Sequence, residues 1–486
     1  MGLISQVYTA DECRELDRLA IEEHDIPGYT LMQRAGAFVF TTMQDRWPGI
    51  QSLLVVAGSG NNAGDGYVIA TLAHQAGIDT KVLQVGATKR LRGDALLAWE
   101  QLQQTEVAIV DDLTHADLVV DALLGTGAHG AVASDYEDAI AQINNSHSPI
   151  VAVDVPSGVD ASNGGLLTEN PVDAELTCMF ISAKLGLFTG PGLRYRGDLV
   201  FTDLGVPPEV YRNVSGVPLL DTTSKRPVLP PRDALAHKYQ FGHVVVVGGD
   251  YGMGGAVILA AEAALRTGAG LVTVLTRNEN VPAILSRTPE VMAVGVDEST
   301  DLSSYVERAD VIAIGPGLGQ DSWGSSLLKK VFAQQPDCCV LDADALRALK
   351  SHRWRVPVGC ILTPHPGEAA FMSGVSTSEV QADRPNFAKD LSRDYGCTVI
   401  LKGPGTLIAS QGQLCSISQW INGSLATAGS GDVLTGIVAA AYARSGNPIR
   451  AAEAAVSLHG ASGSRALREK PGQSVIASDL IDSIRI

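Results

Sequence analysis

Short runs rich in Val, Ile and Leu alternate with helical stretches along this chain, stop, and then begin again. In the first half the runs are SLLVVAG, TKVLQV, ADLVVDALLG, SPIVAVDVPSG and TCMFISA, separated by segments such as GDGYVIATLAHQAG and SDYEDAIAQINN. A strand-helix-strand alternation predicts a parallel sheet with helices on both faces. The pattern restarts with GHVVVVGGD, LVTVLT, ADVIAIGPGLG, CCVLDADAL, GCILTPHPGE and TVILKGPGTLIA. Between Leu204 and His243 stand Pro207, Pro208, Pro218, Pro227, Pro230 and Pro231 with little hydrophobic period, which predicts a connection and a boundary near residues 210–235. The expected fold class is therefore α/β, as two three-layer αβα domains, and 486 residues give each half enough chain for its own core.

Composition narrows the partners. Lys plus Arg total 36 against 53 Asp plus Glu, a formal charge of -17 that opposes broad contact with phosphate backbones or anionic lipid. Small anions remain possible ligands, because backbone N–H groups at helix starts bind phosphate whatever the overall charge. The seven cysteines form no CxxC pair and no zinc-type spacing, as expected of reduced thiols. The start, MGLISQVYTADECRELDRLAIEEHD, reads as an amphipathic helix after Thr9 and not as a signal peptide, and even AVILAAEAALRTGAG is broken by Glu262 and Arg266. A soluble, cytoplasmic protein is expected.

The loop GSGNNAGDG, residues 58–66, follows the strand SLLVVA and is expected to run into the helix YVIATLAHQAG. Its glycines allow a tight turn and expose N–H groups at a helix start. Gly58, Gly60 and Ala63 also satisfy the loose dinucleotide pattern G-x-G-x-x-G/A, but the next strand ends Gln84-Val85-Gly86 without the acid that holds a ribose. Hydride transfer is thus disfavoured, and Asn61, Asn62 and Asp65 call for another explanation. Asp121 in VVDALLGTGAHG and Asp154 in VAVDVPSGVD, followed by Ser157, are expected at neighbouring strand tips. Oxygens converging there could hold a hard cation.

In the second half, ATAGSGDVLTGIVAAAYA places Gly429, Ser430 and Gly431 before Asp432 and an apolar helix. Consecutive N–H groups aimed at one anion suit a transferring phosphoryl group, and a carboxylate beside them can take a proton from a substrate hydroxyl. A second Gly-rich loop, Lys402-Gly403-Pro404-Gly405-Thr406, follows the strand TVIL and could grip a nucleotide phosphate.

GSGNNAGDG, DALLGTG and DVPSGVD together resemble the NAD(P)H-hydrate epimerase family over residues 1–215, with Ala63 where that family usually has a second Gly. The resemblance implies a Rossmann-like domain in which Asn61, Asn62, Ala63, Gly64 and Asp65 bind the hydrated nucleotide. It further implies that Gly125, Thr126, Gly127, Ala128, His129, Gly130, Ala131, Tyr136 and Asp154 complete the pocket, and that Asn62, Asp121 and Ser157 coordinate potassium (K+). Asp154 is the expected proton-handling group at the hydrated carbon. Lys184 is either its partner or an ordinary solvated or ion-paired lysine.

GGDYGMGGA, GPGLG, TPHPGE, KGPGT and GSGDVLTG resemble the ribokinase-like superfamily, in its NAD(P)H-hydrate dehydratase branch, over residues 225–486; WINGSLATAG departs from that family's Gly-Asn-Pro. The resemblance implies that Ala256, Gly317, His365 and Asp432 contact the hydrated nicotinamide nucleotide. Lys402, Gly403, Pro404, Gly405, Thr406 and Gly431 would hold ADP, with magnesium (Mg2+) bridging its phosphates, and Asp432 would be the base. The implied enzyme interconverts R and S hydrates of NADH and NADPH and dehydrates the S form at the expense of ADP. Its expected partners are these small molecules and further copies of itself as a homo-oligomer, with no nucleic acid and no membrane. The alternative is a vitamin or sugar alcohol kinase with an N-terminal nucleotide-binding regulatory domain, which would leave a stable phosphorylated product. A third possibility, an N-terminal scaffold, is opposed by Asn62, Asp121, Asp154 and Ser157.

Overall fold

A computed structural model describes residues 4–220, 229, 233–352, 356–357 and 359–486. The chain divides into two compact units, Met1–Pro218 and Leu219–Ile486. Pro227, Pro230, Pro231 and the expected domain start at residue 225 lie outside the described residues.

The sheet of the first unit has seven strands, all parallel, in the order Ala108–Val110, Asp79–Gln84, Ser52–Ala57, Leu118–Ala122, Ile150–Val153, Leu176–Phe180 and Asp198–Thr202. Because the winding reverses between Ser52–Ala57 and Leu118–Ala122, a crevice opens there at the carboxyl ends of the strands. In Ser52–Ala57 the residues Leu53, Val55 and Ala57 pack with the helices Gly28–Arg46, Asn61–Gln75 and Gly93–Leu102, while Leu54 and Val56 pack with Ser134–Asn144. Both faces are covered, which is why the strands read as nearly unbroken apolar runs. The helix expected after Thr9 spans Ala10–Glu22, and Thr9 and Glu12 form a capping box at its start.

One expectation changes: the helix after the first strand begins at Asn61, not after Gly66. Gly60 is extended and stands as its N-cap, so the turn is confined to Gly58–Gly60 and the two Asn residues enter the helix. Gly66 serves packing, since a Cβ there would come within 2.7 Å of the Ala122 side chain.

In the second unit the order is Gln413–Ser418, Leu407–Ser410, Thr398–Leu401, Ile361–Leu362, Cys339–Leu341, Val311–Ile314, His243–Val247, Leu271–Thr276 and Met292–Gly295. The last seven are mutually parallel and the first three antiparallel. TVILKGPGTLIA is therefore a hairpin with KGPGT as its loop. The helix Ser430–Ser445 lies close against Gly254–Arg266, where a Cβ on Gly436 would come within 2.0 Å of the Ala260 carbonyl oxygen. Gly436→Ala must separate the two helices and is expected to cost about 1–3 kcal/mol, read as a lower melting temperature. Among the described residues, no helix is long and apolar enough to cross a membrane.

Candidate functional sites

In the first unit, four neighbouring strands end at a cavity of about 540 Å³. Asp154 follows Ile150–Val153 with φ +68°, a backbone uncommon outside glycine. Its carboxylate accepts from Lys184 Nζ and Thr126 Oγ1. Lys184 is only 2% exposed and also donates to the carbonyls of Phe180 at 3.0 Å and Ser182 at 2.9 Å, which accounts for all three ammonium protons. Burial pulls this ammonium's pKa down, but the Asp154 charge, followed by Cys13, the Asp154 hydrogen bond and Asp17, together outweigh it and the net shift is upward. Two further carboxyls line the cavity. Asp65 is held well above the usual carboxylate range by desolvation, then by Asp154 and Asp17. Asp17 is pushed up to about 6 by desolvation, with Lys184 opposing and Asp154 adding to the shift. An ion-paired carboxylate beside carboxyls of raised pKa is a setting for proton transfer in both directions.

Asp121 lies elsewhere than expected. It is inside the strand Leu118–Ala122, fully buried, and accepts from Ser157 Oγ at 2.6 Å, Ser157 N at 2.8 Å and Leu123 N at 3.2 Å. It therefore holds the Ser157 turn behind the cavity instead of lining it, because a strand residue one place before the tip points into the protein. Burial pushes its carboxyl up to about 6, with those three bonds opposing. Ser157 Oγ also accepts from Leu124 N at 2.9 Å, and Asn62 packs against the neighbouring Gly125. The buried Asn62 Nδ2 has no hydrogen-bond partner among the described residues. Of Asn62, Asp121 and Ser157, only Asn62 lines the cavity, while Asp121 and Ser157 hold each other behind it.

Across the second sheet, Asp342 and Lys402 directly follow two parallel strands, and His365 stands three residues beyond the end of the strand between them. Lys402 Nζ lies 2.8 Å from Asp342 and 3.8 Å from Glu368, and Thr435 Oγ1 donates to Asp342 at 2.7 Å. Burial alone would raise the Asp342 pKa, but Lys402 outweighs it and the carboxyl is held low. A Cβ on Gly431 would sit 3.4 Å from Lys402 Nζ, so the ammonium lies against the first turn of Ser430–Ser445. Asp432, in that same turn, is pushed up to about 7 by burial and by Asp342, with Lys402 opposing. The candidate anion-binding turn is narrower than expected: Ser430 N donates to Thr427 O at 3.2 Å, leaving the N–H groups of Gly431 and Asp432 at the helix start. The fully buried Arg384 donates to the carbonyls of Leu401 at 3.3 Å and Lys402 at 3.1 Å and so fixes the start of the KGPGT loop. Gly317 has φ +54°, and a Cβ on it would lie 3.2 Å from that of Ala256. His365 caps Pro366–Ser373 and its Nδ1 accepts from Gly367 N at 3.0 Å and Glu368 N at 3.2 Å, so a neutral ring carries its proton on Nε2.

A family model described as NAD(P)H-hydrate dehydratase matches residues 244–485, and one described as YjeF-related protein N-terminus matches residues 28–186. The bifunctional NAD(P)H-hydrate repair enzyme Nnr of Coxiella burnetii is 40% identical over 490 residues, covering 99% of this chain and 99% of that protein. This chain belongs to the bifunctional NAD(P)H-hydrate repair enzyme family. Its relative of the same name in Escherichia coli K12 is 37% identical over 493 residues, 99% of this chain and 93% of that one. Among solved structures, the ADP/ATP-dependent NAD(P)H-hydrate dehydratase from Bacillus subtilis, co-crystallised with ATP and Mg2+, is 32% identical over 52% of this chain and 91% of that one, with a TM-score of 0.47.

For this member of the repair enzyme family, Asn61, Asn62, Asp65, Gly125, Thr126, Gly127, Ala128, Tyr136 and Asp154 line the first cavity. Ala63, Gly64, His129, Gly130 and Ala131 do not. Ala63 and Gly64 face the packed side of their helix, with a Gly64 Cβ meeting Met32, and His129, Gly130 and Ala131 are exposed on the far part of their loop. The solvated reading of Lys184 is excluded by its burial. Asp17, Asp342 and Glu368 escaped notice in the sequence. Asp342 could have been found, for CCVLDADAL puts an acid just beyond a strand as VAVDVPSG does.

Proposed function

We propose that the first unit interconverts the R and S hydrates of reduced nicotinamide nucleotides and that the second removes water from the S form by way of a phosphate ester. The C6 hydroxyl of the hydrate is a poor leaving group. Asp432 takes its proton, the freed oxygen attacks the terminal phosphorus of ADP, and the bond to AMP breaks. Loss of phosphate from C6 and of a proton from C5 restores the ring double bond. The observation that carries this proposal is Asp432, near 7, beside the N–H groups of Gly431 and Asp432 and the Lys402 ammonium: a base matched to neutral pH next to donors for a phosphoryl oxygen. Lys402, Gly403, Pro404, Gly405, Thr406 and Gly431 would hold the adenine nucleotide, and Ala256, Gly317 and His365 the hydrated ring. Among the described residues no three His, Cys, Asp or Glu side chains converge to hold a metal. Magnesium would be carried on the nucleotide phosphates, where it would neutralise charge on the transferring group. Potassium would rest on Asn62, Asp121 and Ser157. In the first cavity Asp154 handles the proton at the hydrated carbon, held in place by Lys184 and Thr126.

The direct test gives purified protein an R/S mixture of hydrated NADH with ADP and magnesium, following absorbance of the restored dihydronicotinamide. Recovery of both epimers faster than they interconvert spontaneously is expected; recovery of the S fraction alone would remove the epimerase assignment. Because Asp432 must be ionised to act, dehydration is expected to fall as pH drops through about 7. Asp342→Asn removes a charge that raises the Asp432 pKa, so the acid limb of its rate profile should move to lower pH. An unchanged limb would show that Asp432 is not the group being titrated.

A further inference from the structure

The helix Ala10–Glu22 turns one face to the first cavity, where Cys13, Asp17 and Ile21 follow one another at the spacing of successive turns. The chain entering this helix is fastened to the catalytic wall: Tyr8 N donates to Ala183 O and Leu185 N to Tyr8 O, both at 2.8 Å, so that Tyr8 pairs with Lys184. Asp17 and Asp154 thus line one cavity from two sources, the first from this helix and the second from a strand tip. Asp17 is exposed, and among the described residues its carboxyl has no hydrogen-bond partner. Lys184 does not supply one, since its protons go to Asp154, Phe180 and Ser182. No step of the chemistry above uses Asp17. Its carboxyl, pushed up to about 6 by desolvation, can both hold and release a proton near neutral pH, whereas Asp65 is held well above that range by desolvation and its acidic neighbours.

Inverting the hydrated carbon through a planar ring requires a proton to be given on one face and taken on the other. Resting on the epimerase proposal, we infer that Asp17 is the second catalytic residue of the first cavity, serving the face of the hydrated ring opposite Asp154. One carboxyl gives its proton to the C6 hydroxyl on its side. The C6–O bond breaks with its electron pair leaving on water, while the nitrogen lone pair forms the double bond from N1 to C6. Water then attacks C6 from the other side, its proton passes to the other carboxylate, and the π pair returns to N1. Each turnover exchanges the hydroxyl for solvent oxygen and moves one proton between the two carboxyls, and solvent returns that proton afterwards. The opposite epimer uses the same two groups in exchanged roles.

The test gives the full chain S-hydrated NADH without ADP in heavy-oxygen water and follows the mass of the R hydrate at early times. Each R hydrate formed by the wild-type enzyme should carry solvent oxygen. R hydrate that keeps its original oxygen would overturn the inference, because inversion would then run through opening of the bond between N1 and C6. Asp17→Asn should lower kcat for epimerisation by about 10²-fold or more with little change in KM, while dehydration and the melting temperature hold. Asp17→Glu, which keeps a carboxyl, should retain part of the rate. A folded Asp17→Asn that epimerises at the normal rate would overturn the inference and leave the epimerase reading standing. Wild-type protein that forms no R hydrate beyond the spontaneous rate would remove both.

Discussion

Asp432→Asn is expected to abolish dehydration, by on the order of 10³-fold in kcat, while epimerisation continues at its normal rate. The amide keeps the shape of the carboxyl but cannot take the hydroxyl proton. The same change should stabilise the protein, with a sign fixed by the raised pKa. A carboxyl lifted to about 7 in the folded state favours folding in its protonated form, an advantage lost as pH rises through 7. Above that pH the fold must hold an ionised group that desolvation and Asp342 disfavour. An uncharged Asn escapes this, so the melting-temperature advantage of Asp432→Asn should grow between pH 5 and pH 8. Loss of activity together with gain in stability is the signature of a residue kept for chemistry. A variant that lost epimerisation too, while folded, would contradict separate sites.

Asp154→Asn is expected to remove epimerisation by about 10²- to 10⁴-fold and to leave dehydration of pure S hydrate intact. Lys184→Met should destabilise the fold as well. It leaves the Asp154 carboxylate without its counter-ion in a site where Lys184 is 2% exposed, and breaking a buried pair from one side costs about 3–5 kcal/mol. The double variant Asp154→Asn/Lys184→Met should melt above Lys184→Met alone, because no uncompensated charge then remains. If Lys184→Met melts like wild type, the pair does not carry the electrostatic weight assigned to it. If Asp154→Asn epimerises at the normal rate, the proton passes through another group, with Asp17 and Asp65 the remaining carboxyls on the cavity wall.

The alternation of apolar runs was enough to predict both sheets, because strands buried on two faces leave no room for polar residues. What it missed has physical causes. The edge strands Ala108–Val110 and Met292–Gly295 are short and partly exposed, so they carry little apolar signal. KGPGT reads like any Gly-rich loop, and only the pairing of Leu401 with Leu407 reveals a hairpin. At the sites, residues fixed by local geometry were legible: Asp154, Lys402 and Asp432 each follow a strand or start a helix. Asp17 was not, since it lies on a separate helix and reaches the cavity through tertiary packing alone. Asp121 was legible as an acid near a strand end but not in its orientation, for one residue along a strand exchanges the cavity for the interior.

The central claim is that departure of water from the hydrated ring is converted into departure of phosphate. Phosphorus NMR of a reaction containing S-hydrated NADH, ADP and magnesium decides it. One AMP and one inorganic phosphate should appear for each dihydronicotinamide restored, with both signals absent in Asp432→Asn. A phosphorylated product that accumulates and keeps its phosphate, or a ring restored while ADP stays intact, would contradict the account.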